Sequence, residues 1–504
     1  METNITVTGA EAHGYLRELI EDVPAEAGQH IELVLDDSLR EEQYRVDSTG
    51  GRARVSAGSR RGLIYGAREL LRRSTASGSG TATLVDGRFE GEPALPYRLY
   101  WTWDHSTNWD ILQIGQQESG AFNMYEKQPE AFVSDYRRLI RHMADRGVNG
   151  LVVYGLLREG HNGLEAAREL CAVARDHGIR LLAGIAANSY GGTFYEGEHP
   201  YNLATWLDAN PELEARFADM PGFHIDDYGR VPFLRSDLSR AADSTRPENL
   251  TWTLESIDWL IQELDLGGIN VEFGDYAGND ALEDMKRILP AIIERIRSHS
   301  DDLWIVTDLG WDALADPALP AKLEGLPEDC VYEFTFNRSY WDTLRAGVTR
   351  ETISALPMSK TILRGQIGTQ WNQQRYHHIG RQFAEMAQLA AATGMVGVSM
   401  FSEVSDFSVP NEFNYLAFAE FSIDPQLDWD DFVAAQLAPR LGGAEAAAAY
   451  LGILEELQRP GADAAALRER MRAAAPEDAS EDVARRWLWL AYELERHIWN
   501  AAHA

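Results

Sequence analysis

The stretch Gly267–Asp280, GGINVEFGDYAGND, decides how the rest of the chain is read. Ile269, Val271 and Phe273 alternate with Gly268, Asn270 and Glu272, which predicts a short strand with one apolar and one polar face. The strand lies between two long helical patterns, so a parallel βα unit buried on both sides is expected rather than a half-solvated hairpin. The polar face then points into a barrel or sheet interior. Glu272 stands at the strand's C-terminal end with Asp275 on the turn after it, the end where α/β barrels keep their chemistry. The same two residues also fit a helix-capping Asp and a Glu paired to a buried Arg.

Working outward, strand–helix units repeat on both sides. Strands are expected at Tyr97–Trp103, Gly150–Tyr154, Arg180–Ala186, Leu303–Asp308, Val331–Phe336, Thr361–Gly365 and Gly397–Phe401, with helices at Val133–Arg146, Gly163–His177 and Leu250–Leu264. With the opening stretch this makes eight strands, and a (β/α)8 TIM barrel over 97–410 is the expected fold. A doubly wound sheet is the alternative. Residues 1–92 read as a small N-terminal α/β domain: strands at ITVTG and IELVLDD, a helix over Glu11–Ile20, a hairpin turning at Gly50–Gly51, and the amphipathic helix RRGLIYGARELLRRS. GRFEGEPALPYR, with Pro93 and Pro96, reads as a linker. From 411 to 504 a helical C-terminal region is expected, its last helix docking Val483, Trp487, Leu490, Leu494 and Ile498 on the barrel.

Composition narrows the function. A chain of 504 residues, 45% hydrophobic and 10% aromatic, buries a large core. The 79 acidic against 46 basic residues, net charge −33, argue against nucleic acid and anionic membranes as partners. Lysine occurs only at 127, 286, 322 and 360, the other basic residues being arginine. Cys171 and Cys330 imply neither a disulfide framework nor a cysteine-based metal site. No basic-then-apolar leader and no membrane-length apolar run are read, so a cytoplasmic location is expected. A homo-oligomer is left open.

The strand ends supply the chemistry. Trp103, Asp104 and His105 follow strand one; Tyr154 ends strand two; Asn188 and Tyr190 follow strand three; Glu272 and Asp275 follow strand four; Asp308 and Trp311 follow strand five. Strand six carries Glu333 and Asn337, strand seven Arg364, Gln366 and Trp371, strand eight Glu403 and Asp406. Such a lining of carboxylates, amides and Trp suits a hydroxyl-covered carbohydrate substrate, and paired carboxylates are the usual machinery of glycosidic bond cleavage. No phosphate loop, H-E-x-x-H zinc motif or G-x-S-x-G elbow is present, and no cofactor or metal is expected. Asp104–His105 is the remaining metal-type pair, and His377–His378 reads as a solvated helix start.

The hairpin and the G-L-I-Y-G-x-x-E-L-L helix (Gly62–Leu71) resemble the small domain preceding the barrel in β-N-acetylhexosaminidases and α-glucuronidases. The barrel with its helical tail is most similar to α-glucuronidases and their relatives. The resemblance implies a glycoside hydrolase whose catalytic acid sits at the end of barrel strand four, at Glu272 or Asp275. Hexosaminidases carry adjacent Asp and Glu after His-x-Gly-Gly; here E-F-G-D lacks the His and sets the carboxylates three apart. Catalytic roles are thus expected for Glu272 and Asp275. Trp103, Asp104, His105, Tyr154, Asn188, Tyr190, Asp308, Arg364, Gln366, Trp371 and Glu403 are expected to bind substrate. A metal-dependent sugar isomerase or epimerase and a non-catalytic carbohydrate-binding protein are the alternatives.

Overall fold

The computed structural model describes residues 3–76, 81–103, 129–189, 191–194, 197–215, 241–273, 281–309, 314, 316–338, 350–367, 378–402, 409 and 411–503. Eight parallel strands close a barrel in sequence order: Tyr97–Trp103, Gly150–Tyr154, Arg180–Ala186, Gly268–Glu272, Trp304–Asp308, Val331–Arg338, Thr361–Ile367 and Gly397–Ser402. They are called strands one to eight below. The expected strands are met to within one or two residues, except that strand six runs on to Arg338, with a register shift between Thr335 and Asn337.

Side-chain alternation sorts each strand into two faces. On strand four, Ile269, Val271 and Phe273 join the large apolar core shared with the surrounding helices. Inside the ring Leu99, Val152, Leu182, Val306, Val331 and Ile362 form a separate apolar plug, topped by the rings of Trp101, Tyr154 and Phe401. A plugged barrel leaves only the C-terminal ends of the strands open for chemistry.

The N-terminal region holds a five-stranded sheet in the order Thr6–Thr8, His30–Leu35, Arg52–Ala57, Tyr44–Thr49, Gly87–Gly91. The helix Arg60–Arg73 lies on it, with Ser59 accepting from the Gly62 amide (3.4 Å) as its N-terminal cap. A Cβ at Gly66 would stand 2.6 Å from Val55, so glycine there lets helix and sheet approach closely. One expectation is corrected: Gly87–Gly91, read as linker, is an edge strand paired with Tyr44–Ser48. Its signal was weak because two of its five residues are glycine, and its cross-strand partners Arg88–Asp47 (2.7 Å) and Glu90–Arg45 (3.5 Å) are charged.

A buried polar knot joins this region to the barrel. Arg98, fully buried in strand one, donates to Glu42 (2.8 Å), to the Tyr65 hydroxyl (2.7 Å) and to the Gly147 carbonyl (2.7 Å). Glu42 also accepts from Asn149 (2.7 Å) and Arg61 (3.1 Å).

Among the described residues beyond 410 all regular structure is helical. The helix Asn411–Ile423 meets the barrel, packing on Gly380–Thr393. The last helix, Glu481–His503, does bury Val483, Trp487, Leu490 and Leu494, with Ile498 partly buried. However, its main partners are other C-terminal helices, Ala464–Ala474 above all, rather than the barrel. Arg486 fixes it there, bridging to Glu412 (2.8 Å), while the Trp487 indole donates to the Leu441 carbonyl (3.0 Å).

Candidate active site

The polar side chains of the barrel interior form one connected set. Tyr154 donates to the Asn270 side-chain oxygen (2.8 Å), and the Asn270 amide donates to Glu333 (3.2 Å). Arg364 lies 3.8 Å from the same Glu333 carboxylate, pairs with Asp308, and donates to the Thr335 hydroxyl (3.3 Å). Its guanidinium sits 5.9 Å from the centre of the Trp101 ring, which stacks on Tyr154 at 4.6 Å. Strands one, two, four, five, six and seven each contribute a group.

Glu272 shares the inward face with Asn270, two residues before it, and is partly buried at the mouth. Its charge acts on both Tyr154 and Arg364. Three carboxylates, Glu272, Asp308 and Glu333, therefore surround one guanidinium. Burial pushes the Glu333 carboxyl up; Arg364 opposes this, Asp308 adds to it, and the neighbouring Ser399 and Asn270 side chains pull it back. The Tyr154 hydroxyl is held well above the usual phenol range by burial, then by Glu272, Asp308 and Glu333. Arg364 stays charged: burial works against its charge, but Asp308 and Glu333 outweigh that. An excess of carboxylates in a partly dry site favours holding a proton on one of them, the condition a general acid needs.

Of the residues singled out in the sequence, Tyr154, Asp308 and Arg364 are drawn into this set. Gln366 is buried on the same inward face of strand seven, two residues beyond Arg364. Asn188 is buried and donates to Asp284 (3.3 Å) on the helix after strand four, Ala281–His299, and Asp284 also accepts from Ser244 (2.8 Å). Trp103 ends strand one, but its side chain lies outside the described residues, as do Asp104, His105, Tyr190, Asp275, Trp311, Trp371, His377, Glu403 and Asp406. Among the described residues no three His, Cys, Asp or Glu side chains are grouped to hold a metal.

Asn270, Thr335 and Ser399 were absent from the expected site, and so was Gly184 beside it. Asn270 had a signal, because it lies on the polar face of strand four with Glu272. Gly184 had none. It stands beside Tyr154 across the strand two–strand three pairing, and a Cβ there would fall 2.2 Å from the Tyr154 ring. Gly184→Ala is therefore expected to push the ring off Asn270 and destabilise the protein by roughly 1–3 kcal/mol. Thermal unfolding checks this: the penalty should shrink in a Tyr154→Leu background, and an unchanged penalty would break the link between the two positions.

The His378 expectation is corrected. Instead of a solvated helix start, it is 7% exposed, packed between Phe413 and Trp429 (6.2 Å each). The C-terminal helices cover it, a burial that local sequence cannot foretell.

No protein-family model and no curated protein matches the sequence. Solved structures do. A β-N-acetylhexosaminidase from Bacteroides fragilis aligns with a TM-score of 0.54 at 15% identity, over 88% of this chain and 91% of that one. A GH20 β-N-acetylhexosaminidase from Streptomyces coelicolor gives 0.53 at 15% identity, over 88% and 92%. A GH138 enzyme targeting pectin rhamnogalacturonan II gives 0.57 at 14%, over 93% of this chain but 55% of its own. At such identities the likeness is one of fold, and the fold is the TIM barrel of these glycoside hydrolases with a small α/β region before it and helices after it.

Proposed function

We propose that this protein is a glycoside hydrolase that cleaves O-glycosidic bonds of an oligosaccharide or glycoconjugate at the barrel mouth by paired-carboxylate acid/base catalysis. The observation that carries the reading is the placement of Glu272: inward, at the C-terminal end of strand four, with its charge acting on Tyr154 and Arg364. The fold shared with hexosaminidases supports the reading. Glu272 is assigned the general acid. Its partner is assigned to Asp275, three residues on in the sequence, with Asp308 and Glu403 in reserve. Asp308 and Arg364 orient the sugar, together with Trp103, Gln366 and the other strand-end residues named from the sequence.

The finer reading is an exo-acting enzyme on a hexosaminide or a uronide, and the surplus of carboxylates around Arg364 favours the uncharged hexosaminide. A screen of aryl N-acetylhexosaminides, aryl uronides and uronic-acid oligosaccharides tests both. Turnover of none of them, by a folded protein over the acid-to-neutral range, would defeat the reading. For the pair, the pH–rate profile should be bell-shaped and lose one limb in Asp275→Asn. Retention of both limbs at full turnover would pass the role to Asp308.

A further inference from the structure

Four large apolar side chains are exposed among the described residues, and three of them stand on the last helix, Glu481–His503. They are Leu488 (71% exposed), Tyr492 (65%) and Trp499 (61%). With 3.6 residues per turn, spacings of four and then seven put all three on one line along the helix. Val483, Leu490 and Leu494 fill the inward face, against the other C-terminal helices. A helix apolar on both sides, with one side in water, marks a contact surface.

The charges beside this line say what fits it. Arg485 lies three residues before Leu488 and Glu495 three residues after Tyr492, and both are exposed. Arg485 enters no ion pair among the described residues, while Glu495 holds Arg468 (2.9 Å) and keeps its outer side free to accept more. A second copy of the helix, laid antiparallel about the level of Leu490, sets Leu488 against Tyr492 and Arg485 against Glu495, each pair twice. At ~1.5 Å per residue the partners stand about 3 Å and about 7.5 Å either side of that level. A parallel copy would set Arg485 against Arg485. Such self-complementarity is what a two-fold contact requires.

Net charge favours the same face. Two chains of −33 repel across most of their surface, but this helix carries four carboxylates and three arginines and is nearly balanced. The three side chains leave on the order of 400 Å² uncovered per copy. Two copies then bury roughly 800 Å² before the flanking charges are counted, at the low end of biological contacts.

We propose that the outer face of Glu481–His503 joins two copies of this chain as a weak antiparallel dimer, whatever the barrel cleaves. Sedimentation equilibrium from about 1 to about 300 μM, in about 0.15 M salt, tests it. Reversible dimerisation with a Kd on the order of 10–100 μM is expected. Tyr492→Asp, at an exposed position, should keep the parental melting temperature and weaken association at least tenfold. Arg485→Glu and Glu495→Arg should each do the same, because each faces like charge with like twice. An equal mixture of those two variants has opposite charges at both contacts, so it should associate as tightly as the parent. A parent that stays monomeric throughout, a folded Tyr492→Asp that dimerises unchanged, or a mixture no tighter than its components would each overturn the proposal.

Discussion

Glu272→Gln is expected to fold like the parent and to turn over substrate roughly 10²–10⁴-fold more slowly. The substitution keeps the side chain's volume and one acceptor oxygen, so packing at the mouth is retained. What it removes is the proton donor, and it leaves one titratable carboxyl fewer beside Arg364, so stability stays equal or rises slightly. Loss of turnover together with an unchanged or raised melting temperature is the combined signature. A variant that melts normally and keeps near-parental kcat on the substrate found by the screen would remove Glu272 from the catalytic role. Asp308, whose carboxylate is committed to Arg364, would be tested next.

Glu42→Ala is expected to cost about 3–5 kcal/mol, because it leaves Arg98 buried without its counter-charge. Asn149 and Arg61 lose an acceptor in the same step. Denaturant unfolding measures the loss, and Glu42→Leu combined with Arg98→Met should recover most of it, since replacing both partners removes the orphaned charge. A single variant as stable as the parent would mean that the knot holds nothing. The pH dependence has a definite sign. Burial alone would raise the Glu42 carboxyl, but the charges of Arg98 and Arg61 and the hydrogen bonds from Arg98 and Asn149 outweigh it and hold it below the usual range. A folded-state value below the unfolded one means stability that is present above the ordinary carboxylate range and lost as pH falls through the folded value. Glu42→Gln should flatten the acid limb of the stability curve.

How much of this was legible beforehand depends on the range of the forces involved. Strand four could be read from five residues because alternation is local: Ile269 and Val271 out, Asn270 and Glu272 in. Asp308 and Arg364 were read from their places at the ends of strands five and seven, and the structure pairs them. What could not be read is what other segments impose. His378 looks solvated until Phe413 and Trp429 fold over it. Gly184 looks like any strand glycine until Tyr154 claims its space from the neighbouring strand. Asn188 follows strand three as a mouth residue would, yet its amide goes to Asp284, on a helix 96 residues later. Glu333 was placed at its strand, but its complete burial belongs to the closed ring, not to the sequence around it.

The ring's closure has a consequence for how the chain assembles. Seven of the eight strand contacts in the barrel join sequence neighbours, whereas the eighth zips Tyr97–Trp101 to Gly397–Phe401, with partners 300 residues apart. Bringing such distant segments together costs about 1–2 kcal/mol more in chain entropy than the next-longest pairing, that of Leu182 with Gly268. Arg98 sits on this seam, and Glu42 grips it from the N-terminal region. Strand one is thus held in place by local partners while strand eight is still distant, so the N-terminal region serves as a scaffold for docking the last strand.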